Sequence, residues 1–284
     1  MQIALFHSTT TNEQLIREIQ QSHQVKAIRL ASPKTAILQL SDALNTEQRV
    51  HLRNLDTLHQ TDIGFLPKHF DVAGIKVLAM DMDSTLINIE CIDEIADAVG
   101  KKKEVSEITE AAMRGEIKDF SESLRRRVAL LKGVPAHALD QVFTERLRLN
   151  PGAKELIAGA HAKGIHTLLV SGGFTFFTRK LQAELNLSET HANQLEIIDG
   201  TLTGQVLGPI VDGAAKAAYV EARCLTLGSN KHAAITMGDG SNDLPMMHGA
   251  GLSIAYRAKP IVKEKADVAF DHVGLDAWLD LFHA

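Results

Sequence analysis

The sequence predicts an α/β protein: a Rossmann-like parallel sheet with a helical cap inserted after its first core strand, preceded by a small N-terminal α+β unit. Three observations carry this. Residues 75–80 (Ile-Lys-Val-Leu-Ala-Met) form an apolar strand that ends abruptly in acidic residues. Residues 92–149 are helix-rich and almost free of strand signals. From Pro151 onward strands alternate with helices, at residues 164–170, 233–237 and 251–255. Such alternation argues for a parallel sheet with helices on both faces. The helical insertion is expected to form a lid over the carboxyl edge of that sheet.

Ahead of the sheet, residues 3–6 read as a strand and 11–21 as a helix with Leu15, Ile16 and Ile19 on one side. Strands follow at 27–30 and 35–40, turning at Ser32-Pro33-Lys34. Residues 46–59 read as a helix and 63–66 as a last strand. The order βαββαβ suits a split-βαβ sandwich and resembles the ACT-like small-molecule-sensing domains joined to amino-acid enzymes. No motif marks a sensing site, so packing or dimerisation, for instance in a homodimer, is the favoured role. The expected division is an N-terminal domain at 1–74 and a second at 75–284, with the cap at about 91–149.

Composition excludes several classes. The chain of 284 residues carries 30 Lys and Arg against 35 Asp and Glu, so it lacks the basic footprint of a nucleic-acid binder. No apolar run approaches the ~20 residues of a membrane span, and the first residues lack the pattern of a cleaved signal. Cys91 and Cys224 stand far apart and read as free thiols in a reducing cytoplasm.

Three strand ends carry the chemistry. Asp81-Met82-Asp83-Ser84-Thr85 follows the first core strand, Ser171-Gly172-Gly173 the second, and Gly238-Asp239-Gly240-Ser241-Asn242-Asp243 the third. Ligands bind beyond the carboxyl ends of strands in open α/β sheets. The small residues let backbone N–H groups approach an anion. Two like charges ~5 Å apart at an effective dielectric of ~20 repel by about 3 kcal/mol, so gathering Asp81, Asp83, Asp239 and Asp243 requires a cation or protonation. All-oxygen ligands favour Mg²⁺ over zinc, and Mg²⁺ beside an anion cradle implies phosphate chemistry. Taken singly, an Asp-x-Asp pair could merely decorate a turn, and Asp243 could cap the helix after it.

The cap offers fewer signals. Phe120, Leu124, Arg127, Val128 and Leu131 share one helical face, while Arg125 and Arg126 point elsewhere. An Arg on an apolar stripe is either a snorkelling side chain or a fixed carboxylate fork. Glu90 stands at the start of the first cap helix, where acidic residues favour the dipole. Lys216 lies in an Ala-rich helix, where lysines are usually solvated. Residues 195–202, with Asp199-Gly200 as the turn, read as a small hairpin flap.

Together these motifs resemble the haloacid dehalogenase superfamily of aspartyl phosphotransferases. The string from Asp81 to Glu90, with Arg127 in the cap, is similar to its phosphoserine phosphatases. The resemblance covers residues 75–284. It implies that Asp81 is the nucleophile, that Asp83 is the acid and then the base, and that Mg²⁺ is held by the Asp81 side chain, the Asp83 carbonyl and Asp239. Asn242 and Asp243 would support that site. Ser171 and Gly172 would bind phosphoryl oxygens, and Lys216 would neutralise charge. Arg127 would take the carboxylate of O-phospho-L-serine, Glu90 its ammonium, and Phe120 would close over it. The segment Glu116-Ile117-Lys118-Asp119 is one residue longer than the commoner form, which bears on the spacing of Phe120. The expected activity is Mg²⁺-dependent hydrolysis of O-phospho-L-serine, the last step of serine synthesis. The alternatives are phosphoryl transfer to homoserine and, in another class, a phospho-accepting signalling module.

Overall fold

The computed structural model describes residues 1–68, 70–113, 117 and 119–283. Its first sheet is built from β1 (Gln2–His7), β2 (Val25–Leu30), β3 (Thr35–Leu40) and β4 (Thr61–Leu66), with α1 (Glu13–Ser22) and α2 (Thr46–His59) between them. The strands run in the order β2-β3-β1-β4, every pairing antiparallel, as a βαββαβ chain requires. Side chains alternate across the sheet. Ile3, Leu5, Leu38 and Ile63 pack under Leu15, Ile19, Leu52 and Leu55 of the helices. Ala4, Phe6 and Ile37 instead join the core of the rest of the chain. Asn12 caps α1, and Asn45 with Gln48 forms a capping box at α2.

The second sheet has seven strands in the order β11-β10-β9-β5-β6-β7-β8. These are β5 (Val77–Met80), β6 (His166–Phe174), β7 (Glu189–Ile198), β8 (Thr201–Leu207), β9 (Ala234–Gly238), β10 (Leu252–Tyr256) and β11 (Val268–Phe270). All run parallel except β8. Between β5 and β6 come α3 (Cys91–Asp97), α4 (Lys102–Met113), α5 (Phe120–Ala129), α6 (His137–Gln141) and α7 (Ala153–Ala162). Then follow α8 (Thr175–Leu185), α9 (Gly213–Thr226), α10 (Leu244–Met247) and α11 (Pro260–Lys265). The chain moves from β5 to β6 on one side and later to β9 on the other, so the order reverses beside β5. A crevice opens at such a switch point, outside the carboxyl ends of the strands.

Where the cap leaves and rejoins the sheet, its two stems are stitched together. Asn88 N–H donates to the Arg148 carbonyl at 3.0 Å and Asn150 N–H to that of Leu86 at 3.0 Å. The buried Asn150 side chain then donates to the carbonyls of Thr85 at 2.8 Å and Ile87 at 3.0 Å. The 195–202 hairpin turns at Asp199 and Gly200, both at positive φ, but it differs from a free flap. β7 pairs parallel with β6, so the hairpin extends the main sheet, and Leu202 exchanges backbone hydrogen bonds with Gly133 and Val134 of the cap. Of the longer segment before α5, Glu116 and Lys118 lie outside the described residues.

The two sheets meet along β4 and β11. Phe65 N–H donates to the Asp267 carbonyl at 2.8 Å, and Phe6 meets Phe270 edge to face at 5.0 Å. The buried Asp62 carboxylate accepts backbone N–H groups from Asp271, His272 and Val273. Gly64 makes the approach feasible, since a β-carbon there would come within 2.7 Å of Val268 Cγ2. Both cysteines are free and buried. No helix among the described residues is long and apolar enough to cross a membrane.

Candidate active site

A cleft of about 690 Å³ lies between the cap and the carboxyl edge of the second sheet. Asp81, Asp83, Glu90, Phe120, Arg127, Ser171, Gly172, Asp239 and Asn242 all line it. Asp243 and Lys216 lie just behind the wall and are fully buried. The structure thus brings together every residue singled out from the sequence.

Asp81 leaves β5 with extended backbone, and its Oδ1 accepts the N–H of Met82 at 2.7 Å. Lys216, fully buried on α9, reaches Asp81 at 2.8 Å and Asp243 at 2.7 Å. The Ala-rich helix therefore turns its lysine inward. Burial alone would lower the Lys216 ammonium, but the charges of Asp243 and Asp81 outweigh it and hold it above the ordinary lysine range. Asp243 stands at the N-cap position of α10 but makes no side-chain capping bond there. Its Oδ2 accepts N–H groups from Asp239 at 3.1 Å and Gly240 at 3.0 Å, which shapes the loop that presents Asp239. Gly238 must be bare there, since its β-carbon would overlap the Asp243 carboxylate.

Oxygens of Asp81, Asp239 and Asp243 lie within 4.8 Å of one another. Burial, then the charge of Asp243, pushes Asp81 well above the usual carboxylate range and Asp239 up to about 7. One lysine does not balance three such carboxylates. The all-oxygen donor set and its surplus negative charge fit a hard divalent cation, Mg²⁺ above all.

Asp83 faces the same space. Its Oδ1 accepts the N–H of Cys91, the first residue of α3, at 3.2 Å. Burial, then the charge of Glu90, pushes its carboxyl up to about 7, the range in which a group can both give and take a proton near neutrality. Opposite, Ser171 Oγ accepts the Gly173 N–H at 2.8 Å, and Asn193 donates to the Gly172 carbonyl at 2.8 Å.

On the cap side, Glu90 makes no capping bond to α3, although it stands at its N-terminus. It accepts the Ser84 hydroxyl at 2.6 Å instead. Ser84 itself sits at φ 55°, in the left-handed region. Arg127 lies on the α5 face with buried Leu124 and Val128, while Arg125 and Arg126 are exposed. Its Nε donates to the Ser123 carbonyl at 3.4 Å, and burial lowers its guanidinium against the pull of Asp93, Glu90 and Asp83. The arginine thus faces the cleft rather than snorkelling outward.

Several lining residues escaped the sequence reading: Asp93, Thr109 and Lys259. Lys259 follows β10, a fourth strand end, and the logic applied to the other three would have found it. Asn193 was also missed. Buried on β7, it accepts the Val211 N–H at 2.8 Å while it fixes Gly172.

Paired aspartates and an anion cradle around a switch point define a haloacid dehalogenase-like hydrolase, and the model of that family matches residues 78–248. A phosphoserine phosphatase of Polaromonas sp. is 56% identical over 214 residues, 74% of this chain and 91% of the relative. The unliganded probable phosphoserine phosphatase of Vibrio cholerae superposes with a TM-score of 0.81 at 36% identity, covering 100% of this chain and 87% of that one. A solved phospho-aspartyl intermediate analogue of phosphoserine phosphatase gives a TM-score of 0.68 at 40% identity, covering 73% and 98%. The chain belongs to the haloacid dehalogenase-like hydrolases, and within them to the phosphoserine phosphatase family. It is a phosphoric monoester hydrolase.

Proposed function

We propose that the protein hydrolyses O-phospho-L-serine to L-serine and phosphate through a phosphorylated Asp81, in the cytoplasm, as the last step of serine synthesis. One observation carries the substrate assignment. Arg127 and Glu90, a cation and an anion, face the cleft from the cap, across from the carboxylate cluster and the Ser171–Gly173 cradle. Phosphoserine presents a carboxylate, an ammonium and a phosphate, and the three groups match these three places.

Asp81 attacks phosphorus and releases the serine oxygen, which splits one displacement into two easier ones. The structure known as a phospho-aspartyl analogue in a similar protein supports this route. Asp83, held by the Cys91 N–H, protonates the leaving oxygen and then takes a proton from the attacking water. Ser171 accepts the Gly173 N–H, which leaves its hydroxyl proton free to donate to a phosphoryl oxygen. Lys216 keeps Asp81 from being driven off by its acidic neighbours. Asp81, Asp239 and the Asp83 carbonyl would hold Mg²⁺, oriented by Asp243 and Asn242. When bound, the ion supplies positive charge against the transferring phosphoryl oxygens.

Measuring phosphate released from O-phospho-L-serine, with and without homoserine, tests the reading. Stoichiometric phosphate that is indifferent to homoserine supports hydrolysis. Phosphohomoserine formed at the expense of phosphate would make the protein a transferase.

A further inference from the structure

Lys259 occupies the mouth of the cleft, on the loop between β10 and α11. Its main chain is fixed, because its N–H donates to the Asp239 carbonyl at 2.9 Å and Pro260 opens α11 directly after it. Its neighbour Ala258 is buried, whereas the Lys259 side chain is exposed. Its ammonium makes no hydrogen bond or close ion pair among the described residues. It does act at longer range on two carboxylates, Glu90 on the cap side and Asp239 on the core side. The main chain of Lys259 thus serves the fold, while its ammonium is left facing the cleft.

The charge around it explains what it can do. Asp81, Asp83, Glu90, Asp93 and Asp239 line the cleft, and among the described residues Arg127 and Lys259 are the cations that oppose them on the wall. Lys216 is spent behind it on Asp81 and Asp243. A phosphomonoester dianion therefore approaches an acidic opening, and low-dielectric walls focus that field outward. Arg127 sits deeper, half-buried on α5. Of these two lining cations, Lys259 is the more exposed.

The geometry points to Lys259 as a residue that steers dianionic phosphomonoesters through the mouth of the cleft. This rests on the phosphomonoesterase reading above but not on serine as the leaving group. Steering acts before chemistry, so it raises kcat/KM and leaves kcat alone. It also fades as salt shortens the Debye length from ~10 Å at 0.1 M to ~3 Å at 1 M.

The test compares wild type, Lys259→Gln and Lys259→Arg with Mg²⁺ present, on phosphoserine and on p-nitrophenyl phosphate, across ionic strength. Lys259→Gln is expected to lower kcat/KM roughly three- to tenfold on both esters at low salt, with kcat unchanged. The gap should close at high salt, and Lys259→Arg should keep the wild-type value. Equal kcat/KM for Gln and wild type at all ionic strengths would overturn the assignment. A loss confined to kcat, a loss that persists in salt, or an equal loss in Lys259→Arg would overturn it too. Failure of the wild type on phosphoserine alone would instead sink the substrate assignment, and p-nitrophenyl phosphate would still decide the role of Lys259.

Discussion

Phe120 of the cap rests on Gly172 of the core so closely that a β-carbon at position 172 would come within 2.9 Å of its Cζ. The contact joins the lid to the phosphate cradle. It also explains why the residue after Ser171 has no side chain. The obstructing atom is the tip of a ring that can swing aside, so Gly172→Ala should cost little stability. It should instead displace Phe120 and hold the cap ajar. The expected result is a roughly tenfold loss of kcat/KM on phosphoserine with faster proteolysis of the cap and a nearly unchanged thermal midpoint.

Arg127 and Glu90 are assigned to the amino-acid end of the substrate, and charge-assisted hydrogen bonds are worth about 1.5–3 kcal/mol. Arg127→Ala and Glu90→Gln should each raise KM for phosphoserine about 10- to 100-fold. Neither should affect p-nitrophenyl phosphate to the same degree, since it has no carboxylate or ammonium. Equal losses on both esters would remove these residues from recognition. Glu90→Gln retains an acceptor for Ser84, so that variant isolates the charge.

Lys216 is the fully buried partner of two carboxylates. Removing one member of such a cluster leaves uncompensated charge and costs about 3–5 kcal/mol. Lys216→Met should therefore unfold at lower denaturant in EDTA, regain part of the difference in Mg²⁺, and lose nearly all turnover. A variant as stable as the wild type in EDTA would show that the cluster holds no uncompensated charge without Lys216.

Outside the site, Asp56 on α2 offers a pH test of the joint between the sheets. Burial, then the charge of Asp62, pushes its carboxyl up to about 8 from an ordinary 3.8, and its Oδ1 has no hydrogen-bond partner. A folded pKa above the unfolded one favours the folded state most below the unfolded pKa. That contribution is lost as pH rises toward 8. Urea unfolding at pH 5 and pH 8.5 should show the wild type losing more stability over the interval than Asp56→Asn. Parallel losses would place the titration elsewhere.

How far the sequence could be read depends on the kind of signal. The aspartates at 81, 83 and 239 were legible because each apolar run ends abruptly in acid, which marks a strand end and a ligand edge at once. Arg127 was legible from period, since Leu124, Val128 and Leu131 do form the buried stripe beside it. The inward turn of Lys216 could not be read locally. It depends on α9 lying against β5 and β6, a tertiary fact. Strand β11, only Val268–Phe270, was too short to show a period. The hairpin was recognised from Asp199-Gly200, but its parallel pairing with β6 is long-range and leaves no local trace.

The most direct measurement quenches the enzyme in acid during turnover of ³²P-labelled phosphoserine with Mg²⁺ and maps the label. The account predicts one hydroxylamine-labile phosphoryl group on the peptide containing Asp81, absent from Asp81→Asn, which should be inactive. Label on another residue, or full turnover by Asp81→Asn, would contradict it.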